Sequence, residues 1–273
     1  MEEQVQQEMP STQHTGGHHP MQEGEVFNTQ YQVLHKLGCG TFATVWLCQD
    51  MRRKKQVAVK VLKSREGFAD TAQDEVAFLR CKDLISLCPF HLGGDLGNQL
   101  EESDLMSIEV KIADLGSACW TYKPFSKEIQ TQPYRALEVL LGLDYGTPAD
   151  IWSTACLAFE MATGECLFDP QPGKYFSRDD DHVARIIELL GRIPPQIVFS
   201  WNKSTKFFSR PGALLRLSRL FPRTLPGILA DRHGWTPGEA TAFAAFLLPA
   251  LHYAPERRAS AAQSLRHAWI TAP

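Results

Sequence analysis

An α+β fold in two lobes is what this sequence predicts, on three observations. Short β-type runs crowd residues 31–62, helical patterns fill the chain beyond about residue 135, and a stretch with neither signature separates them. With 273 residues and 44% hydrophobic content, there is apolar material for one large domain or two modest lobes. Lys+Arg 28 against Asp+Glu 31 leaves a formal net charge of −3, so no global basic field points to direct nucleic-acid binding. The apolar stretches at 151–161 and 242–251 are interrupted or shorter than the about 20 residues a bilayer span requires, and the N-terminus is acidic where a secretory leader is basic. A soluble, intracellular, monomeric chain without membrane contact is expected. Its seven cysteines are odd in number and include no C-x-x-C pair, which reads as reduced thiols.

The elements follow in order. Residues 1–30 form an acidic tail with Glu2, Glu3, Glu8, Glu23 and Glu25 and almost no aliphatic content up to about residue 25, a composition that cannot offset its ordering entropy. His14, His18 and His19 lie there without Cys or acidic partners at ligand spacing, so no metal site is assigned. Runs at 31–37, 44–48 and 56–62, divided by glycine-rich and basic turns, read as an antiparallel meander. Residues 72–81 place Val76, Phe78 and Leu79 at helical spacing, with Asp74 and Glu75 near the start where the helix dipole favours acids. Residues 82–109 read as a linker. A short run at 110–113 precedes Asp114, and helices are expected at 147–163, 178–190, 212–220, 237–251 and 259–269.

Candidate chemistry begins at Leu37-Gly38-Cys39-Gly40-Thr41-Phe42-Ala43-Thr44-Val45. A glycine hairpin between strands lets backbone N–H groups approach a polyphosphate, although a plain β-turn explains the glycines equally well. In Val57-Ala58-Val59-Lys60 the lysine sits among apolar neighbours and needs an anionic partner, for which Glu75 on the next helix is the natural choice. Such a pair holds a lysine against nucleotide phosphates; the plainer alternative is a surface lysine beside an unrelated acid.

These residues, in this order, resemble a eukaryotic protein kinase. Asp114-Leu115-Gly116 is similar to the Mg-binding D-F-G motif with Leu for Phe, and Ala136-Leu137-Glu138 to A-P-E with Leu for Pro. The resemblance implies that Glu138 pairs with Arg258 and that Asp150-Ile151-Trp152 opens the central helix of the second lobe. Within that superfamily, Lys111 to Trp120, Ile129-Gln130-Thr131, Tyr134-Arg135, Pro148 to Cys156 and Phe246 to Pro249 resemble the SR-protein kinases. The resemblance implies ATP and Mg as cofactors, serines in Arg-Ser-rich splicing factors as substrates, and cytoplasmic and nuclear localisation. It also implies an acidic docking groove whose matching positions are Glu165, Asp181 and Glu188, with Arg232 at a nearby basic position. Without the resemblance, Asp179, Asp180 and Asp181 read as the ordinary acidic first turn of a helix.

The match has a gap. Only 38 residues separate Glu75 from Asp114, whereas the remaining strands, hinge, helix and catalytic loop of a kinase need roughly 75 at ordinary element lengths. None of the nine histidines has Asp two positions later, and none of Asn28, Asn98 and Asn202 has Asp five positions earlier. The H-x-D-x-x-x-x-N loop, which supplies the general base and a second metal ligand, is therefore absent. The sequence predicts a partial first lobe at 31–81, a linker at 82–109 replacing hinge and catalytic loop, and a second lobe at 110–273. It predicts little or no phosphotransfer, a Lys60 strand left at a sheet edge, and low stability. The alternatives are a pseudokinase that binds Arg-Ser peptides and a nonfunctional fragment. Gln132 and Pro133 also replace the family's Arg and Gln.

Overall fold

A computed structural model describes residues 21–40, 43–62, 68–80, 115–199, 206–209 and 212–271. The chain divides into two compact units, Met1–Cys119 and Trp120–Pro273. The expected linker and the strand at 110–113 lie outside the described residues, as do the three tail histidines. The turn at Leu115–Ser117 packs on the helix of the first unit.

The first unit is a four-stranded antiparallel sheet in sequential order: β1 (Val26–Phe27), β2 (Tyr31–Cys39), β3 (Ala43–Asp50) and β4 (Lys55–Leu62). The sheet starts earlier than the sequence suggests. Residues assigned to the tail up to position 30 include β1, which is anchored by Gly24 N–H donating to the Val33 carbonyl at 2.8 Å and by Phe27 stacking on Tyr31 at 5.2 Å. Two register shifts in β2 twist its pairing with β3, whereas β3 and β4 pair without a slip from Ala43↔Leu62 to Asp50↔Lys55. Asp50, 0% exposed, closes that hairpin: it accepts from the backbone N–H groups of Arg52 and Arg53 and from the Gln30 amide. Burial alone raises its pKa, but these hydrogen bonds outweigh it and hold the carboxyl below the usual range. Among the described residues β4, which carries Lys60, ends the sheet. Helix α1 (Phe68–Arg80) follows, four residues longer at its start than predicted.

The second unit is helical: α2 (Leu137–Leu140), α3 (Pro148–Thr163), α4 (Arg178–Leu190), α5 (Pro195–Phe199), α6 (Leu225–His233), α7 (Pro237–Leu247), α8 (Ala261–Ser264) and α9 (Ala268–Thr271). Its core gathers Trp152 and Phe159 of α3, Phe168, Ile186 of α4, Leu229 of α6 and Phe243 of α7. Pro148 in its first turn suits the start of α3, and Gly164 closes it at φ 76 by donating to the Glu160 carbonyl. Helix α4 runs as predicted because Ser177 and Asp180 form a reciprocal capping box; Thr236 and Glu239 do the same for α7. Past Leu247 the chain tightens into a 3₁₀ turn at Leu248–Leu251, where Pro249 lacks the N–H to continue the helix.

Two helix expectations are corrected. Residues 212–220 are not helical: Gly212 takes φ 82, Ser209 N–H bonds the Ala213 carbonyl, and Leu214 bridges to Phe208. These turn contacts override an apolar spacing that suits a helix face equally well. The predicted helix at 259–269 is instead the two short pieces α8 and α9, separated by turn residues 265–267.

Candidate functional site

In the first unit the predicted cation and acid meet. Lys60 Nζ lies 2.9 Å from Glu75 Oε1, with side chains 28% and 13% exposed. Strand pleating sends alternate β4 side chains to one face, and α1 carries Glu75 to the lysine. Gly116 packs on this pair so closely that a Cβ there would stand 2.5 Å from Lys60 Nζ and 3.2 Å from Glu75 Oε2. Three segments distant in sequence, β4, α1 and the turn after Asp114, thus converge on one ion pair. Glu75 compensates the ammonium, and the three donors of an ammonium suit the oxygens of a polyphosphate.

The glycine hairpin joins β2 to β3. Cys39 pairs with Thr44, and Gly40 N–H donates to the Ala43 carbonyl at 2.8 Å. Among the described residues no atom lies within 4 Å of a Cβ built on Gly38, and the nearest to one on Gly40 is the Ala43 carbonyl at 3.7 Å. Gly38, Cys39 and Gly40 are exposed, Leu37 and Val45 half-buried, and Ala43 and Thr44 buried in the sheet. The open flank of the glycines fits a phosphate-facing role, whereas Ala43 and Thr44 serve the packing of the strands. Thr41, Phe42 and the metal candidate Asp114 lie outside the described residues. Among the described residues no group of three His, Cys, Asp or Glu side chains is placed to hold a metal.

In the second unit Glu138 and Arg258 form a buried bidentate pair, Nη1 to Oε1 and Nη2 to Oε2 at 2.8 Å each. Arg258 also donates to the Pro148 and His252 carbonyls and lies 5.2 Å from the Trp152 ring. It ties α2 to the start of α3 and to the turn before α8. Asp150 stands in the first turn of α3, where its backbone N–H donates to the Thr147 carbonyl and its own carbonyl accepts from the Thr154 hydroxyl, and desolvation pushes its carboxyl up.

The segment before α2 is braced by residues that the sequence marks only by resemblance, without a structural role. Gln130, at φ 68, turns its amide inward: Nε2 donates to the Ala149 carbonyl and Ser153 Oγ, and Oε1 accepts from Ala136 N–H. Arg135 donates to the Ile129 and Gln130 carbonyls, and Tyr134 donates to Glu160 at 2.5 Å, a bond that pushes the phenol up to about 12. Gln132 reaches Asp179 Oδ1 at 3.0 Å. Positive φ at Gln130 has no sequence signature, since Gln is not a residue that favours it.

The candidate docking residues occupy α4, α6 and the turn after α3. Asp181 and Glu188 lie two turns apart on α4, and each already holds an arginine: Asp181 receives Arg185 Nε at 2.6 Å, and Glu188 lies 3.5 Å from Arg223 Nη2. Backbone N–H groups of Gln171 and Phe221 donate to the same carboxylates. Glu165 is 62% exposed, 3.9 Å from His233 Nε2. Arg232 is exposed in the last turn of α6. Of the three consecutive acids, Asp180 serves the helix cap and an ion pair with Arg216, so part of that run is structural.

A scan against protein-family models matches the protein kinase domain over residues 98–270. SRSF protein kinase 3 of Mus musculus is 51% identical over 182 residues, covering 67% of this chain and 32% of that protein. Serine/threonine-protein kinase spk-1 of Caenorhabditis elegans is 48% identical over 163 residues, covering 60% of this chain and 16% of that protein. Serine/threonine-protein kinase SRPK of Physarum polycephalum is 29% identical over 379 residues, covering 93% of this chain and 89% of that protein. The chain spans about a third of the length of the mammalian relatives it matches.

Proposed function

The chain belongs to the protein kinase family, in its SRSF protein kinase branch, and on that premise we propose that it derives from an ATP- and Mg-dependent enzyme phosphorylating serines in Arg-Ser repeats of splicing factors. In its present form it transfers phosphate slowly or not at all. One contrast carries this reading: the Lys60–Glu75 pair is assembled at 2.9 Å with Gly116 against it, yet no H-x-D-x-x-x-x-N occurs anywhere in the chain. Lys60 and the glycine hairpin would hold the triphosphate, and Asp114 the metal. The missing Asp would take the serine proton and the missing Asn would bind a second Mg, functions that each supply orders of magnitude in rate. The alignment with the slime-mould relative, longer than this chain's own 273 residues, supports an internal gap in this sequence. On this reading residues 31–81 are a partial first lobe, 82–109 replace hinge and catalytic loop, and 110–273 form the second lobe of a monomer shared between cytoplasm and nucleus. Purified chain incubated with labelled ATP and an Arg-Ser peptide is expected to incorporate no more phosphate than Lys60→Met; incorporation clearly above that control overturns the reading.

A second reading, a non-catalytic binder of Arg-Ser segments, is favoured by the arginines that Asp181 and Glu188 already hold. A carboxylate that seats one guanidinium can exchange it for another, and an Arg-rich peptide offers many. No nucleic-acid contact is needed for it.

A further inference from the structure

We propose that the tip of the β3–β4 hairpin is a phosphoserine-binding surface that captures Arg-Ser segments after they are phosphorylated, an inference that rests on the proposed substrate class. Arg52, Arg53, Lys54 and Lys55 follow one another there, all exposed, beside a single acid, Asp50. In a chain of net charge −3, this is a local excess of positive charge. Asp50 offsets only one of the four charges, so residues 50–55 keep a net +3. Its carboxylate is buried and engaged by Gln30 and by backbone N–H groups, and among the described residues its side-chain ion pair at the tip is a 4.0 Å contact to Arg53, whose side chain is 77% exposed. The same bonds make the tip rigid: the turn backbone is tied to Asp50, Met51 N–H donates to the Gln30 carbonyl, and the β3–β4 ladder is unbroken behind it. Cations are thus held ready on a fixed frame, which lowers the ordering cost of binding.

The number of charges selects the partner. A phosphoserine carries about −1.5 to −2 at pH 7, so four cations match about two of them. Phosphorylation turns an Arg-Ser pair from net positive to net negative, which makes it unsuited to the carboxylates of α4 and suited to this tip. Two adjacent arginines supply the planar forks that grip phosphate in two places at once. A single-stranded RNA site would stack bases on aromatic rings, and the tip, residues 51–55, has none. A membrane site would add a wider apolar face, and the tip shows only Met51, 43% exposed.

Fluorescence anisotropy with labelled Arg-Ser peptide, plain or doubly phosphorylated, tests this on the full chain and on a variant with all four cations changed to Gln. The phosphopeptide is expected to weaken about tenfold or more in the variant and to lose most of its salt dependence, with the plain peptide unchanged. Arg52→Lys with Arg53→Lys, which keeps charge but removes the forks, falls between. Phosphopeptide binding equal in chain and variant overturns the inference, as does a variant defect seen only with RNA or anionic vesicles. A chain that binds the plain peptide but not the phosphorylated one overturns this inference alone; one that binds neither overturns the docking reading with it.

Discussion

Glu138 and Arg258, 120 positions apart, meet as a two-pronged ion pair with side chains 2% and 0% exposed. Neither charge is tolerable there without the other, because burial removes the water that would solvate it. Arg258→Met therefore costs about 3–5 kcal/mol by leaving Glu138 uncompensated. Thermal or urea unfolding of the single variants and of Glu138→Met/Arg258→Met checks this, and the double variant is expected to be more stable than Arg258→Met alone.

His182 supplies a pH dependence. It is 0% exposed, beside Phe168 and with Gln132 on its Nδ1, and burial pulls its pKa from 6.5 down to about 4. The folded state thus binds the proton more weakly than the unfolded state, and stability is lost as pH falls from about 6.5 toward 4. The loss is on the order of 3 kcal/mol at most. Melting temperature measured across that range should fall in the wild-type chain, and His182→Gln should flatten the slope.

Gln130 stores backbone strain at φ 68 and offsets it with three hydrogen bonds from its amide. Gln130→Ala loses the bonds and keeps the strain; Gln130→Gly loses both. Gly is expected to be the more stable of the two by about 1 kcal/mol, read from their unfolding midpoints, with both below wild type.

Gly116→Ala drives a methyl into the end of Lys60. A lysine head is flexible and yields, so stability shifts by less than about 1 kcal/mol. The ion pair is displaced all the same, and affinity for a fluorescent ATP analogue, measured by titration, is expected to drop several-fold. Unchanged affinity would mean that the pair does not face the nucleotide.

Charge reversal at Asp181 and Glu188 should abolish salt-sensitive binding of a plain Arg-Ser peptide, measured by anisotropy at two ionic strengths. Arg185 and Arg223 lose their partners in the same variant. Because those pairs are partly exposed, stability should fall by no more than about 1 kcal/mol each, which circular dichroism melts can separate from the loss of binding.

Local rules explain what could be read before any coordinates. Alternating β-branched and apolar residues between turn formers mark β2 to β4, and apolar residues at helical spacing mark α4 and α7, whose Ser177 and Thr236 caps only the structure supplied. Lys60 and Glu75 could be paired in advance because a lysine among apolar neighbours demands an acid, and the next helix offers one at the right spacing. The region at 212–220 misled, since its leucines fit a helix while the decisive bonds run back to residues 207–209.

The order of chemical groups along the chain, the kinase-like lineage and the lack of an H-x-D-x-x-x-x-N string are properties of the sequence itself, because each depends only on which residue follows which. Tertiary structure alone decided that Gly116 lies on the Lys60–Glu75 pair, that Asp181 and Glu188 already grip arginines, that Gln130 turns inward at positive φ, and that the basic hairpin is rigid and poorly neutralised. Those outcomes depend on which distant groups exclude water together, and burial changes the cost of a charge or an unmet hydrogen bond by amounts that no local pattern encodes.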